Sequence, residues 1–218
     1  MPRILLINPN ISQNTTDAML AIARSVLPPD FEIVGATARR GARMIMDASA
    51  LALSVEEVVG IGRRRGQDTA GIIIGAFGDP GVGRLRRILD CPVVGIGEAA
   101  MLEAATPARR FGVATVTPGL VASIDDAAAM LRLGPLYTGV RLTAGDPALL
   151  MASPDMLLEA LARAVSNCIQ QDKAEAVVIG GGPLGDAATA LARMFEVPIV
   201  APVPAAVRQL LALLRAAG

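Results

Sequence analysis

Few side chains in this sequence can act as an acid, a base or a polar ligand at the end of an apolar run. Asp79 stands in the turn GAFGDPG (75–81), directly after Ile72-Ile73-Ile74. Glu98 ends the stretch VVGIGE (93–98). Asn8, Pro9 and Asn10 follow LLI (5–7), and Thr115, Val116 and Thr117 close FGVATVT (111–117). A second glycine turn, GGGPLGD (180–186), follows Val177-Val178-Ile179. A carboxylate in such a place can take a proton from a carbon acid or orient a ligand. Glu98 is the first candidate for that work; a charge at a helix N-terminus is its ordinary alternative. Asp79 is the second, against a turn or capping role. Asp186 reads as a helix cap. Hydroxyls, amides and glycine N–H groups in the same places suit a small ligand carrying a carboxylate or a polarised carbonyl.

The absent residue types narrow the chemistry further. There is no histidine, which removes Ser-His-Asp and Cys-His catalysis and the commonest metal ligand. The single lysine, Lys173, lies before AVVI (176–179), at the wrong end of a strand for a pyridoxal-phosphate site. No phosphate-loop motif occurs. The two cysteines, Cys91 and Cys168, form no CxxC pair and read as buried core thiols. No metal site and no cofactor are expected. Lys+Arg and Asp+Glu balance at 20 each, so there is no basic footprint for nucleic acid. No apolar run is long enough to span a membrane, and no export signal precedes the first strand. A cytoplasmic location is expected. At 53% hydrophobic and 18% charged residues, the composition points to surface buried between copies, a homo-oligomer.

These turns must be positioned by the apolar runs that precede them. The runs lie at 4–7, 32–35, 71–74, 92–97, 111–115, 139–142, 176–179 and 198–200. They are rich in β-branched residues and do not alternate with polar ones, as expected of parallel strands covered on both faces. Helical periodicity falls between them, at 13–27, 49–65, 82–89, 98–105, 119–132, 154–171, 186–195 and 203–216. Ser153 and Pro154 mark a helix start. Such alternation predicts an α/β fold with mostly parallel sheet. The chain also repeats itself at one constant offset. Ile74-Gly75-Ala76 falls on Gly180-Gly181-Gly182, Pro92-Val93-Val94 on Pro198-Ile199-Val200, and Ala99-Ala100 on Ala205-Ala206. Two pseudo-symmetric halves follow, 1–105 and 106–202, with the segment 203–218 packing back on the first. In open parallel sheets ligands bind beyond the strands' carboxyl ends. The predicted site therefore collects Asn8, Pro9, Asn10, Gly75, Ala76, Phe77, Thr115, Val116, Thr117, Gly180, Gly181, Gly182 and Pro183 in a cleft between the halves.

LLINPNISQNTT (5–16), IIIGAFGDPG (72–81), CPVVGIGEAAM (91–101) and AEAVVIGGGPLGD (174–186) resemble the aspartate/glutamate racemase superfamily, most of all its hydantoin/allantoin racemase branch. The resemblance covers nearly the whole chain. It implies two α/β domains with the site between them, and cofactor-independent deprotonation and reprotonation of a carbon acid beside a carbonyl. It also implies two facing cysteines, one at each glycine turn. This sequence has Ala76 and Gly181 in those places, and Val116 where the family pattern has a second threonine. The resemblance thus implies isomerase chemistry on an amino acid or hydantoin, with the two-thiol mechanism lost. A divergent lyase or decarboxylase, or a non-catalytic ligand-binding relative, is the alternative.

Overall fold

A computed structural model describes residues 1–216. Four parallel strands, β1 (Arg3–Asn8), β2 (Glu32–Thr37), β3 (Thr69–Ile74) and β4 (Val93–Gly95), form one sheet in the order β2-β1-β3-β4. Four more, β5 (Phe111–Thr115), β6 (Tyr137–Leu142), β7 (Ala176–Gly180) and β8 (Ile199–Val200), form a second in the order β6-β5-β7-β8. The path of one half is repeated in the other. The central strands are buried along their length: Ile72, Ile73 and Ile74 of β3 are fully enclosed, as are Val177, Val178 and Ile179 of β7. Burying each such side chain is worth about 1.5–3 kcal/mol, which is why these runs lack polar alternation.

Helices cover both faces. They are α1 (Gln13–Arg24), α2 (Ala48–Arg63), α3 (Val82–Ile88), α4 (Ile96–Ala105), α5 (Val121–Met130), α6 (Pro147–Ala152), α7 (Pro154–Gln170), α8 (Gly185–Leu191) and α9 (Pro202–Ala216). The outer face of the first sheet packs on α2 and α3 through Leu5, Ile7, Val58, Val59, Val82 and Leu85. The outer face of the second packs on α7 and α8 through Leu157, Leu161, Val165, Val177 and Leu191. The two inner faces share one continuous core that includes Ile4, Leu6 and Ile73 of one sheet and Phe111, Val113 and Val178 of the other.

The last helix of each half crosses over. α4 packs against β7, β5 and β8 of the second sheet, whereas α9 packs against β3, β4 and α1 of the first, and the two helices pack on each other. Leu210 of α9 sits so closely on Gly71 that a Cβ there would stand 2.7 Å from Leu210 Cδ1. Arg208 of α9 donates to both carboxylate oxygens of Glu103 on α4, at 2.9 and 2.7 Å. Residues 217 and 218, the end of the predicted 203–218 segment, lie outside the described residues.

Two local expectations need correction. The run 92–97 is not strand throughout: β4 ends at Gly95 and α4 starts at Ile96. The carboxylate of Asp79 captures the N–H groups of Gly97 and Glu98, which fixes a helix start there. The short helix α6 was not expected. Asp146 Oδ1 accepts from Ala148 N and Leu149 N at 2.9 and 3.0 Å, with Pro147 in the first turn. That is a strong start signal on a segment too short to show periodicity.

Candidate functional site

The carboxyl ends of β3, β5 and β7 meet across a cavity of about 320 Å³ between the two sheets. Gly75, Ala76 and Phe77 wall it from the first half, and Val116, Thr117, Gly180, Gly181, Gly182 and Pro183 from the second; Asn10 joins them from the turn after β1. The two glycine turns touch. A Cβ on Gly182 would lie 3.2 Å from Gly75 O and 2.7 Å from Met19 Sδ, so this close approach requires glycine.

Three predicted residues stand behind this wall. Asn8 is fully buried; its Nδ2 reaches Asn10 Oδ1, Ser12 O and Thr16 Oγ1 at 2.9–3.0 Å. Its Oδ1 accepts from Asn10 N at 3.1 Å, so Asn8 holds the shape of the turn that carries Asn10. Pro9 belongs to the same turn and does not line the cavity. Thr115, also fully buried, donates to Gly180 O at 2.7 Å and ties the β5 exit to the β7 exit. Since that proton is spent on a carbonyl, the 3.0 Å contact between the two hydroxyls leaves Thr117 as donor to Thr115. Thr117 Oγ1 then keeps lone pairs for a ligand N–H.

The backbone supplies the donors. Ala76, Phe77 and Val116 line the cavity outside any strand or helix, and their N–H groups donate to no protein acceptor among the described residues. Buried N–H groups normally find a partner. A cluster of unmatched amides at strand ends is an anion or carbonyl-oxygen cradle of the kind oxyanion holes use.

The two carboxylates singled out in the sequence lie elsewhere. Asp79, at φ 51°, turns its carboxylate onto the start of α4, accepting from Gly97 N at 2.8 Å and Glu98 N at 2.6 Å. Desolvation pushes it up to about 7, against the two N–H bonds and the Arg86 charge, with the Glu98 carboxylate adding to the rise. Glu98 accepts from Arg86 through both oxygens and reaches back to Gly95 N at 3.2 Å. Neither lines the cavity. Asp186 sits in the first turn of α8, whose N-cap is Leu184. Tyr137 donates to Asp125 Oδ1 at 2.6 Å and packs against Phe111.

The cysteines are also away from the cleft. Cys168 is fully buried on α7, where its Sγ would meet a Cβ on Gly112 at 3.1 Å. Burial, with the nearby Asp172 carboxylate, pushes its thiol up to about 12. Cys91 packs, half-buried, against the outer core of the first sheet. Among the described residues no group of three His, Cys, Asp or Glu could hold a metal ion, and no helix is long and apolar enough to cross a membrane.

Sequence reasoning missed the rest of the wall. Ser12 and Thr15 come from the start of α1, Arg43, Met44 and Ile45 from the connection after β2, Leu120 and Ile124 from the start of α5, and Met151 from α6. Ser12 could have been found, because the Ser12 side chain caps α1 by accepting from Thr15 N. The 43–45 stretch has no periodicity or motif; only the path of the loop brings it there.

Comparison with known proteins follows the same lines. The profile of the family described as Asp/Glu/Hydantoin racemase matches residues 4–210. A hydantoin racemase from Pseudomonas sp. (strain NS671) is 28% identical over 209 residues, covering 94% of this chain and 83% of that protein. The crystal structure of allantoin racemase from Pseudomonas fluorescens superposes with a TM-score of 0.93 at 29% identity, covering 99% of this chain and 92% of the other. Allantoin racemase from Klebsiella pneumoniae gives the same TM-score, 0.93, at 28% identity, covering 100% of this chain and 89% of that one.

Proposed function

We propose, because this chain belongs to the Asp/Glu/hydantoin racemase family, that its cleft binds a small cyclic amide or carboxylate and promotes isomerase-type proton exchange without a cofactor. The exchange occurs at the carbon beside a carbonyl and uses no pair of thiols. One observation carries this reading. The two turns that the family resemblance marks for thiols face the cavity with Ala76 and Gly181, beside the unmatched N–H groups of Ala76, Phe77 and Val116.

The chemistry follows from those groups. Breaking the α-C–H bond sends its electron pair to the carbonyl oxygen, and the proton to solvent water at the cleft. The amides stabilise the resulting enolate oxygen because they are fixed and need no reorganisation. Reprotonation from the opposite face inverts the centre; from the same face it restores it. A fixed side-chain base adds typically 10²–10⁴-fold to such a step. Its absence from the cavity wall makes this a slow exchanger next to a two-thiol enzyme. The same absence supports a second reading, in which the ligand binds without turnover: among the described residues no Asp, Glu, Cys, His or Lys lines the cavity.

One experiment tests both. A single enantiomer of 5-methylhydantoin is incubated with the protein in deuterated buffer. The α-proton is followed by NMR and optical rotation, alongside the shift in melting temperature. Exchange above the buffer rate with a raised melting temperature supports the first reading. A raised melting temperature with exchange at the buffer rate supports the second. No shift and no exchange would sink both.

A further inference from the structure

Among the described residues the cavity wall holds one charged side chain, Arg43. The connection that carries it is pinned where it passes the cleft. Ala38 N donates to Asn8 O at 3.0 Å, Ile11 N donates to Ala42 O at 3.1 Å, and Asp47 bridges to Gly119 of the second half. Arg43 is exposed, while Ile45, two residues on, is buried against the core. The strap therefore runs from the solvent edge of the cavity inward. Arg43 also borders a recess of about 300 Å³ lined by Ile11, Ser12, Gln13 and Asn14, so with Ser12 it lines both spaces.

What sets Arg43 apart is its place: other exposed arginines among the described residues, Arg40, Arg63 and Arg132 with them, also lack an ion pair, but Arg43 is the arginine that lines the cavity. Among the described residues Arg43 makes no ion pair and no side-chain hydrogen bond, and no Asp or Glu lines either space beside it. The remaining walls near it are apolar or neutral: Met44, Ile45, Leu120 and Ile124, with Ser12 and Thr15. A planar guanidinium with free donors beside a neutral cavity is matched by a carboxylate, which it can take through two parallel hydrogen bonds.

Resting on the reading above, we infer that the ligand is a cyclic amide whose side arm ends in a carboxylate, with the ring at the unmatched amides and the arm on Arg43. The apolar residues cover the methylenes between ring and acid. Arg43 is thus a specificity-determining residue and takes no part in the proton transfer.

Calorimetric titration with 5-methylhydantoin and 5-(carboxymethyl)hydantoin tests the inference on the wild-type chain, Arg43→Gln and Arg43→Lys. The wild-type protein is expected to bind the acid about tenfold or more tightly than the methyl compound, which is the factor one modest charge-assisted contact supplies. Arg43→Gln should bring the ratio of the two affinities close to one; Arg43→Lys should retain part of the preference. Should Arg43→Gln melt early, the wild-type preference and the lysine variant decide. Equal binding of the two compounds to the wild-type protein, or a preference that survives in Arg43→Gln, overturns the inference and leaves the cyclic-amide reading standing. Binding of neither compound overturns both together.

Discussion

Replacing Asp79 with asparagine separates the two forces on its carboxylate. Desolvation opposes ionisation of this side chain; the N–H groups of Gly97 and Glu98 and the charge of Arg86 favour it. Desolvation wins and holds the group at about 7, against an unfolded value near 3.9. Between those values the folded protein keeps a proton that the unfolded chain has lost. Stability therefore falls as pH rises through this window and is flat above it. Roughly three pKa units at 1.36 kcal/mol each give a ceiling of about 4 kcal/mol between pH 4 and pH 8. Asparagine cannot titrate. Its one carbonyl oxygen also accepts from only one of the two amides, leaving the other N–H facing an NH₂ group, at a pH-independent cost of about 1–3 kcal/mol. Urea unfolding of both proteins at several pH values, subtracted, removes every other titrating group, including Asp172, whose bond to Arg141 holds it low. The wild-type advantage should shrink by a few kcal/mol from pH 4 to pH 8. A flat difference curve would show that the carboxylate is not desolvated. A rising one would show that the two N–H bonds outweigh burial. Either refutes the reasoning.

Two further outcomes bear on the site. Installing both thiols, Ala76→Cys with Gly181→Cys, should raise α-proton exchange on a hydantoin at least tenfold over the wild-type chain, with each single variant far below the pair; equal rates in all four proteins, measured by NMR in deuterated buffer, would count against the placement of the reacting carbon. A Cβ on Gly181 would stand 2.7 Å from Leu184 Cδ1 and 3.0 Å from its Cγ and meets no other residue closer, so the second change requires the Leu184 side chain to shift. Cys168 should react with a thiol reagent at pH 8 orders of magnitude more slowly than Cys91, because a fully buried thiol raised to about 12 holds little thiolate; comparable rates by mass spectrometry would show that α7 opens.

Local signals carried much of the fold. The β-branched runs of β1, β3, β5 and β7 announce buried parallel strands because each is covered on both faces and has no polar alternation. The internal repeat announces two halves because equivalent strands end in equivalent turns. The glycine turns could be placed at strand exits because each directly follows an apolar run, at Ile74 and at Ile179. Three things had no local signal. The boundary at Ile96 depends on Asp79, many residues away, supplying a cap that Gly95 has no side chain to make. The crossing of α4 and α9 onto the opposite sheets depends on both being apolar on enough of their surface to pack on either. The presence of Arg43 in the wall depends on where a loop without periodicity is pinned.

Sequence alone therefore determined which strands exist, that they form two like halves, and that their exits offer small and neutral groups. Those properties are written in side-chain type and spacing, because burial and backbone reach act over a few residues. Tertiary structure alone decided which polar groups face the cleft and which face away: Asn8, Thr115, Asp79 and Glu98 spend their hydrogen bonds on the frame, while Thr117 and the loop-borne Arg43 line the cavity. A side chain's partners are fixed by distant segments brought within about 3 Å, the range of a hydrogen bond, and no periodicity encodes that.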